Sequence, residues 1–215
     1  MKVYCGSTGA YKTLEYMWKR NYGLMITPVD WRYSNAKRWR YWALDNGAFA
    51  NWKQKKPFDG VKYERTIREK LPKSDTGPDF ITLPDIVAKG EESLQFSMEW
   101  HAKLQDLDHP WYFVVQDGIT IEDVESIIKE IDGLFVGGTV KWKIKTGELW
   151  VGLAHRHGIP CHIGCVGTRR RVLWANRIGC DSIDSTAFVR HKFGFEKLEG
   201  LDEQRMLVLE DECQK

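Results

Sequence analysis

The sequence predicts an α/β protein, a compact (β/α)8 or TIM barrel folded as a single domain. Three observations carry that expectation. Short apolar runs recur along the whole chain of 215 residues, longer amphipathic stretches separate most of them, and the runs number eight. Strands that alternate with helices pair in parallel, because a parallel neighbour is reached through a crossover, and eight such strands close on themselves. An open doubly wound sheet is the alternative and would need fewer strands.

The first strand is expected at residues 2–6, followed by a helix over 10–20. A second strand at 23–27 reaches the third, at 41–44, through a short irregular connection. A helix over 61–71 leads to the strand at 80–83, and one over 91–107 to the strand at 111–115. Asp117-Gly118 stops that fifth strand. A helix over 121–131 then precedes the strand at 134–136. The next helix, 143–157, ends at Gly158-Ile159-Pro160, before the strand at 161–164. A helix over 168–178 leads to the eighth strand at 181–184. The final stretch, 196–215, holds seven acidic and three basic residues and is expected to form a surface helix closing the structure.

Composition narrows the class without naming a reaction. With 32 basic and 30 acidic residues the formal charge is +2, which excludes histone-like or polyanionic behaviour. No apolar run approaches the ~20 residues that span a bilayer, and the start MKVYCGSTGAYKT lacks the apolar core of a signal peptide. Five cysteines without framework spacing point to a reducing compartment, so a soluble cytoplasmic protein is expected.

Polar residues fall directly after the expected strands. Asp45-Asn46-Gly47 follows the third, Pro84-Asp85 the fourth, Gln116-Asp117-Gly118 the fifth and Gly137-Gly138-Thr139 the sixth. Gly164-Cys165-Val166-Gly167 closes the seventh, and Asp184-Ser185 the eighth. In a barrel these ends surround one mouth, where such enzymes keep their sites. Each Asp also fits a plain helix cap, and each glycine pair a plain turn; their joint occurrence at successive strand ends points to a pocket. Strand alternation puts Asp181 and Asp184 on opposite faces, so only one of them faces inward.

The same segments resemble the tRNA-guanine transglycosylase superfamily, whose catalytic domain is a (β/α)8 barrel. Asp45-Asn46-Gly47-Ala48-Phe49 resembles that family's Asp-Ser-Gly-Gly-Phe. Pro84-Asp85, Val115-Gln116-Asp117-Gly118, Phe135-Val136-Gly137-Gly138, Gly164-Cys165-Val166-Gly167 and Gly179–Ser185 follow in the family's order. The Cys-x-Cys-x-x-Cys…His zinc site of the tRNA-directed members has no counterpart here. Cys161 and Cys165 would lie ~13 Å apart along a strand, too far to share a tetrahedral metal, and with Cys180 they are read as buried thiols. A small version without the zinc subdomain is similar to the DNA-modifying, DpdA-like branch.

The resemblance implies exchange of a guanine in DNA for a 7-deazaguanine base, without a cofactor or metal. Asp184 would be the nucleophile at the anomeric carbon and Asp45 the general acid/base. Asp85 would read the base's amino edge, with Gln116 and the N–H groups of Gly137 and Gly138 donating to its carbonyl. From the residues themselves, the segment 31–56 holds seven Lys/Arg against one acid, interleaved with aromatics, which reads as a nucleic-acid surface through Arg38, Arg40, Trp42, Trp52 and Lys53. Arg169 and Arg170 open the next-to-last expected helix, where phosphate is favoured. DNA is the expected macromolecular partner, ahead of tRNA, and an auxiliary protein or a homodimer is left open. The competing readings are a barrel N-glycosidase or phosphosugar enzyme on a small nucleotide, and a non-catalytic nucleic-acid-binding barrel.

Overall fold

A computed structural model of the chain describes residues 1–29, 39–71, 77–190 and 194–201. Eight parallel strands form a closed barrel in sequential order: β1 (Lys2–Gly6), β2 (Gly23–Ile26), β3 (Trp42–Leu44), β4 (Phe80–Thr82), β5 (Trp111–Val115), β6 (Gly133–Val136), β7 (Cys161–Ile163) and β8 (Ser182–Ser185). β8 returns to β1 with Asp184 opposite Tyr4. The helices are α1 (Tyr11–Lys19), α2 (Ala48–Lys53), α3 (Gly60–Arg65), α4 (Gly90–Leu104), α5 (Ile121–Ile127), α6 (Val140–Arg156), α7 (Arg169–Arg177) and the short α8 (Ala187–Arg190). The protein is a compact (β/α)8 barrel. No described helix is long and apolar enough to cross a membrane.

Local chemistry sets the helix starts. Thr120 and Asp123 close a capping box on α5, and Thr139 and Thr168 cap α6 and α7 through their hydroxyls. Gly47 enters α2 at φ +82°, in the left-handed region open to glycine. The helix expected over 61–71 is α-helical only to Arg65 and then widens into a π-helical stretch, Thr66–Lys70. Thr66 donates its hydroxyl to the Lys62 carbonyl at 2.8 Å, a back-bond that loosens the ladder at that point.

Alternation along the strands sorts the core into two shells. Odd β3 residues face the barrel axis and even ones the helices. The outer shell includes Ile26, Trp42, Leu44, Phe113, Val136 and Ile183, packed under the helices. Each such fully buried side chain contributes about 1.5–3 kcal/mol. The inner shell holds Tyr4, Met25, Ala43, Phe80, Tyr112, Val114 and Phe135. Phe80 stacks on Tyr112 with centroids 4.2 Å apart, and Phe135 on His162 at 4.5 Å, so rings fill the lower barrel.

This sorting corrects the expected nucleic-acid surface. Trp42 faces the helix layer and is 0% exposed, so it is a core residue and cannot stack on a base. Arg40 precedes β3 and therefore lies at the N-terminal end of the barrel, ~16 Å of extended chain from Asp45. Its guanidinium covers the Trp18 ring at 4.4 Å, at the last turn of α1. Arg38, with Trp31 and Tyr33, lies outside the described residues, as does most of the expected closing helix, beyond residue 201.

Candidate active site

The C-terminal ends of the strands bring Asp45, Asp85 and Asp184 to one mouth. Asp184 is buried on β8, facing inward above the ring-filled floor. Its Oδ1 accepts two bonds, from His162 Nε2 at 3.1 Å and from the Cys165 backbone N–H at 3.0 Å. Its Oδ2 has no partner among the described residues. His162 is fully buried, and burial holds its pKa below the ordinary value despite the neighbouring carboxylate. A neutral ring that donates from Nε2 accepts at Nδ1, where the Ser182 hydroxyl lies at 2.8 Å. Asp181 sits at the opposite end, tied to the Cys161 N–H and to His155.

Asp45 follows β3 on the inward-facing side. Burial, then the charges of Asp184 and Asp85, push its carboxyl up to about 7. Two neighbouring acids and partial exclusion of water both oppose the anion, which leaves a group that exchanges protons near neutrality.

Asp85 is held from all sides. Asn46 Nδ2 donates to its Oδ1 at 2.8 Å and Gln116 Nε2 to its Oδ2 at 2.6 Å. Ser97 donates to the Pro84 carbonyl and Ser93 accepts from the Ile86 N–H, so α4 pins the loop on both sides of the carboxyl. Burial raises the Asp85 pKa to about 6 against the pull of the two amides. Gln116 accepts from the Ala88 N–H as well, so its amide orients Asp85 before it can touch a ligand.

The glycine pair serves partly another purpose than expected. The Gly137 N–H donates to the Val115 carbonyl at 3.0 Å and is spent on the barrel. A Cβ at Gly137 would lie 2.7 Å from Gln116 Nε2, so this glycine makes room for the amide. Gly138, at φ +74°, turns the chain toward Thr139, whose N–H and hydroxyl both donate to Asp117 at 2.6 Å. Arg169 is also engaged: its Nη1 donates to the carbonyls of Glu196 at 3.1 Å and Glu199 at 2.9 Å. Arg170 stands exposed beside it.

On the rim, α2 presents Phe49 and Trp52, 41% and 55% exposed, as a stacked pair with ring planes 20° apart. Lys53 Nζ lies 4.4 Å from the Phe49 centroid. Cys161 and Cys180 are buried thiols as expected, whereas Cys165 is exposed at the mouth and adopts φ +59°.

Several residues escaped the sequence reading. Asn46, within the Asp45–Phe49 motif, orients Asp85, accepts from the Ala48 N–H and donates to the Leu83 carbonyl. His162 was marked only by its parity with Gly164. Lys143 occurs among surface-like lysines, yet shares a helical stripe with Gly147, Trp150 and Ala154, all buried. A separate cavity of about 380 Å³ opens at the other end of the barrel, beside Lys2, Arg20 and Tyr41; among the described residues its lining holds no carboxylate and none of these mouth residues. Neither a family model nor a curated protein matches the chain, so the assignment of a reaction rests on the mouth itself.

Proposed function

We propose that the protein exchanges a guanine base in DNA for a 7-deazaguanine derivative, such as 7-cyano-7-deazaguanine, through a covalent ester on Asp184. The observation that carries this reading is the asymmetry of the Asp184 carboxyl. Oδ1 is anchored by two donors, and Oδ2 has no partner among the described residues. A carboxylate so held can attack an anomeric carbon without reorienting. Asp184 Oδ2 forms the bond to C1′ as the C1′–N9 bond breaks, and Asp45 gives its proton to the departing guanine. The incoming base then attacks C1′, displaces Asp184 and returns a proton to Asp45. With its carboxyl at about 7, Asp45 suits both directions.

Asp85, with spare lone pairs on oriented oxygens, would accept from the amino group and ring N–H of either base. Guanine and its 7-deaza analogues share that edge, which is what an exchange enzyme requires. A base inside a duplex is out of reach, so the substrate is unpaired DNA or a flipped nucleotide. The test is transfer of labelled base into DNA and its dependence on Asp184.

The exposed Phe49–Trp52 pair with Lys53 supports contact with the strand at the rim. Trp52→Ala is expected to weaken binding of single-stranded DNA about tenfold, as loss of one base stack does, in fluorescence anisotropy at fixed salt. Arg40→Ala, at the opposite end, should leave affinity unchanged. Equal losses in both variants would remove the rim from the interface.

A further inference from the structure

We infer that Lys143 is a positioning residue for Asp184 and acts on it through a single peptide group of the barrel wall. Lys143 projects from the buried stripe of α6 and is 6% exposed. Its Nζ donates to the Gly164 carbonyl at 2.6 Å. The N–H of Cys165 belongs to that same peptide and donates to Asp184 Oδ1 at 3.0 Å. In a trans peptide the C=O and N–H point in opposite directions. The ammonium, outside the strands, and the carboxylate, inside them, therefore hold the two poles of one dipole.

The conformation at this point is otherwise costly. Cys165 is left-handed at φ +59°, where a residue with a Cβ is strained by about 1–3 kcal/mol. That turn aims its N–H at Asp184. A cation on the carbonyl oxygen polarises the peptide and makes the N–H a stronger donor. The other groups facing Asp184 supply no such charge: His162 from β7 is neutral, Ser182 is a hydroxyl, Asp45 is an acid and Cys5 of β1 a buried thiol. The charges near Lys143 are those of Cys165, Asp184 itself, Arg171 of α7 and Asp117 after β5, but its direct bond goes to the Gly164 carbonyl. Burial accordingly draws the Lys143 pKa below its ordinary value.

The inference rests on the proposed role of Asp184, but its test does not need catalysis. Selective ¹⁵N-cysteine labelling gives amide signals for five cysteines, with Cys165 identified by Cys165→Ser. Lys143→Met and Lys143→Gln should both move the Cys165 amide proton upfield, and Lys143→Arg should restore it. Gln keeps a donor to the carbonyl without the charge, so it separates polarisation from anchoring, and it carries the test should the Met variant fail to fold. An unmoved Cys165 amide in folded Lys143→Gln overturns the inference and reduces Lys143 to an anchor. In the exchange assay the same variant should lose about tenfold in kcat with KM unchanged, the loss of one charge-assisted bond. Variants whose Cys165 amide shifts as described, beside a wild type that exchanges no base, would sink the transglycosylase reading and leave the relay standing.

Discussion

Asp184→Asn is expected to lower base exchange by about 10⁴-fold or more, the scale on which loss of a covalent nucleophile is felt. Asn has the same shape and keeps an oxygen for His162 and the Cys165 N–H, so the fold and DNA binding should persist. What it lacks is the charge and the ability to form a stable glycosyl ester. The measurement incubates purified protein with labelled 7-cyano-7-deazaguanine and, in parallel, duplex DNA, single-stranded DNA or tRNA, followed by mass analysis of digested nucleosides. Label in DNA that disappears in the variant is the expected result. Label confined to tRNA would redirect the activity to that substrate. Label unaffected by the substitution would remove Asp184 from the nucleophile's role.

Asp45→Asn should do two opposite things, abolishing most activity while stabilising the fold at neutral and alkaline pH. The Asp45 carboxyl is raised from 3.8 to about 7 in the folded protein. Below pH ~4 both folded and unfolded chains carry the proton, so the group costs nothing. As pH rises toward 7 the unfolded chain ionises first, and native stability falls until the folded carboxyl ionises too. At about 1.4 kcal/mol per unit, the loss reaches about 4 kcal/mol above pH 7. Asn imitates the protonated acid and avoids that loss. Urea unfolding should therefore show wild type and variant alike near pH 3.5, and the variant more stable by up to about 4 kcal/mol at pH 8. A gap independent of pH would show that Asp45 is not held protonated by its surroundings. Asp85, at about 6, adds to the same trend in the wild type. Exchange should fall by about 10²–10⁴-fold, as for loss of a general acid/base.

The barrel was legible because its signal is local and repeated: β1 and β5 match their expected bounds, and the other strands differ by a residue or so at one or both ends. The site was legible as a set of strand ends, and Asp45, Asp85 and Asp184 do share the mouth. Function within that set was harder to read, because it depends on pairings far apart in sequence. Gln116 meets Asp85 across 31 positions and His162 meets Asp184 across 22, and no short window contains either pair. Trp42 misled for a simpler reason. In a three-residue strand one step of parity separates core from cavity, and composition is blind to parity. α2 was missed because its residues had been read for charge and aromaticity, whereas Gly47 alone signals the turn into it.

The stacked rings beneath His162 have a kinetic consequence. Tyr4, Phe80, Tyr112 and Phe135 leave no passage through the barrel, so the mouth is both entrance and exit. In the proposed exchange, a base cut from its sugar would have to vacate the site before its replacement could occupy it, while the sugar stayed on the enzyme. Two-substrate kinetics of the proposed exchange would then give parallel double-reciprocal lines, and excess free guanine would compete with the incoming base for the emptied pocket.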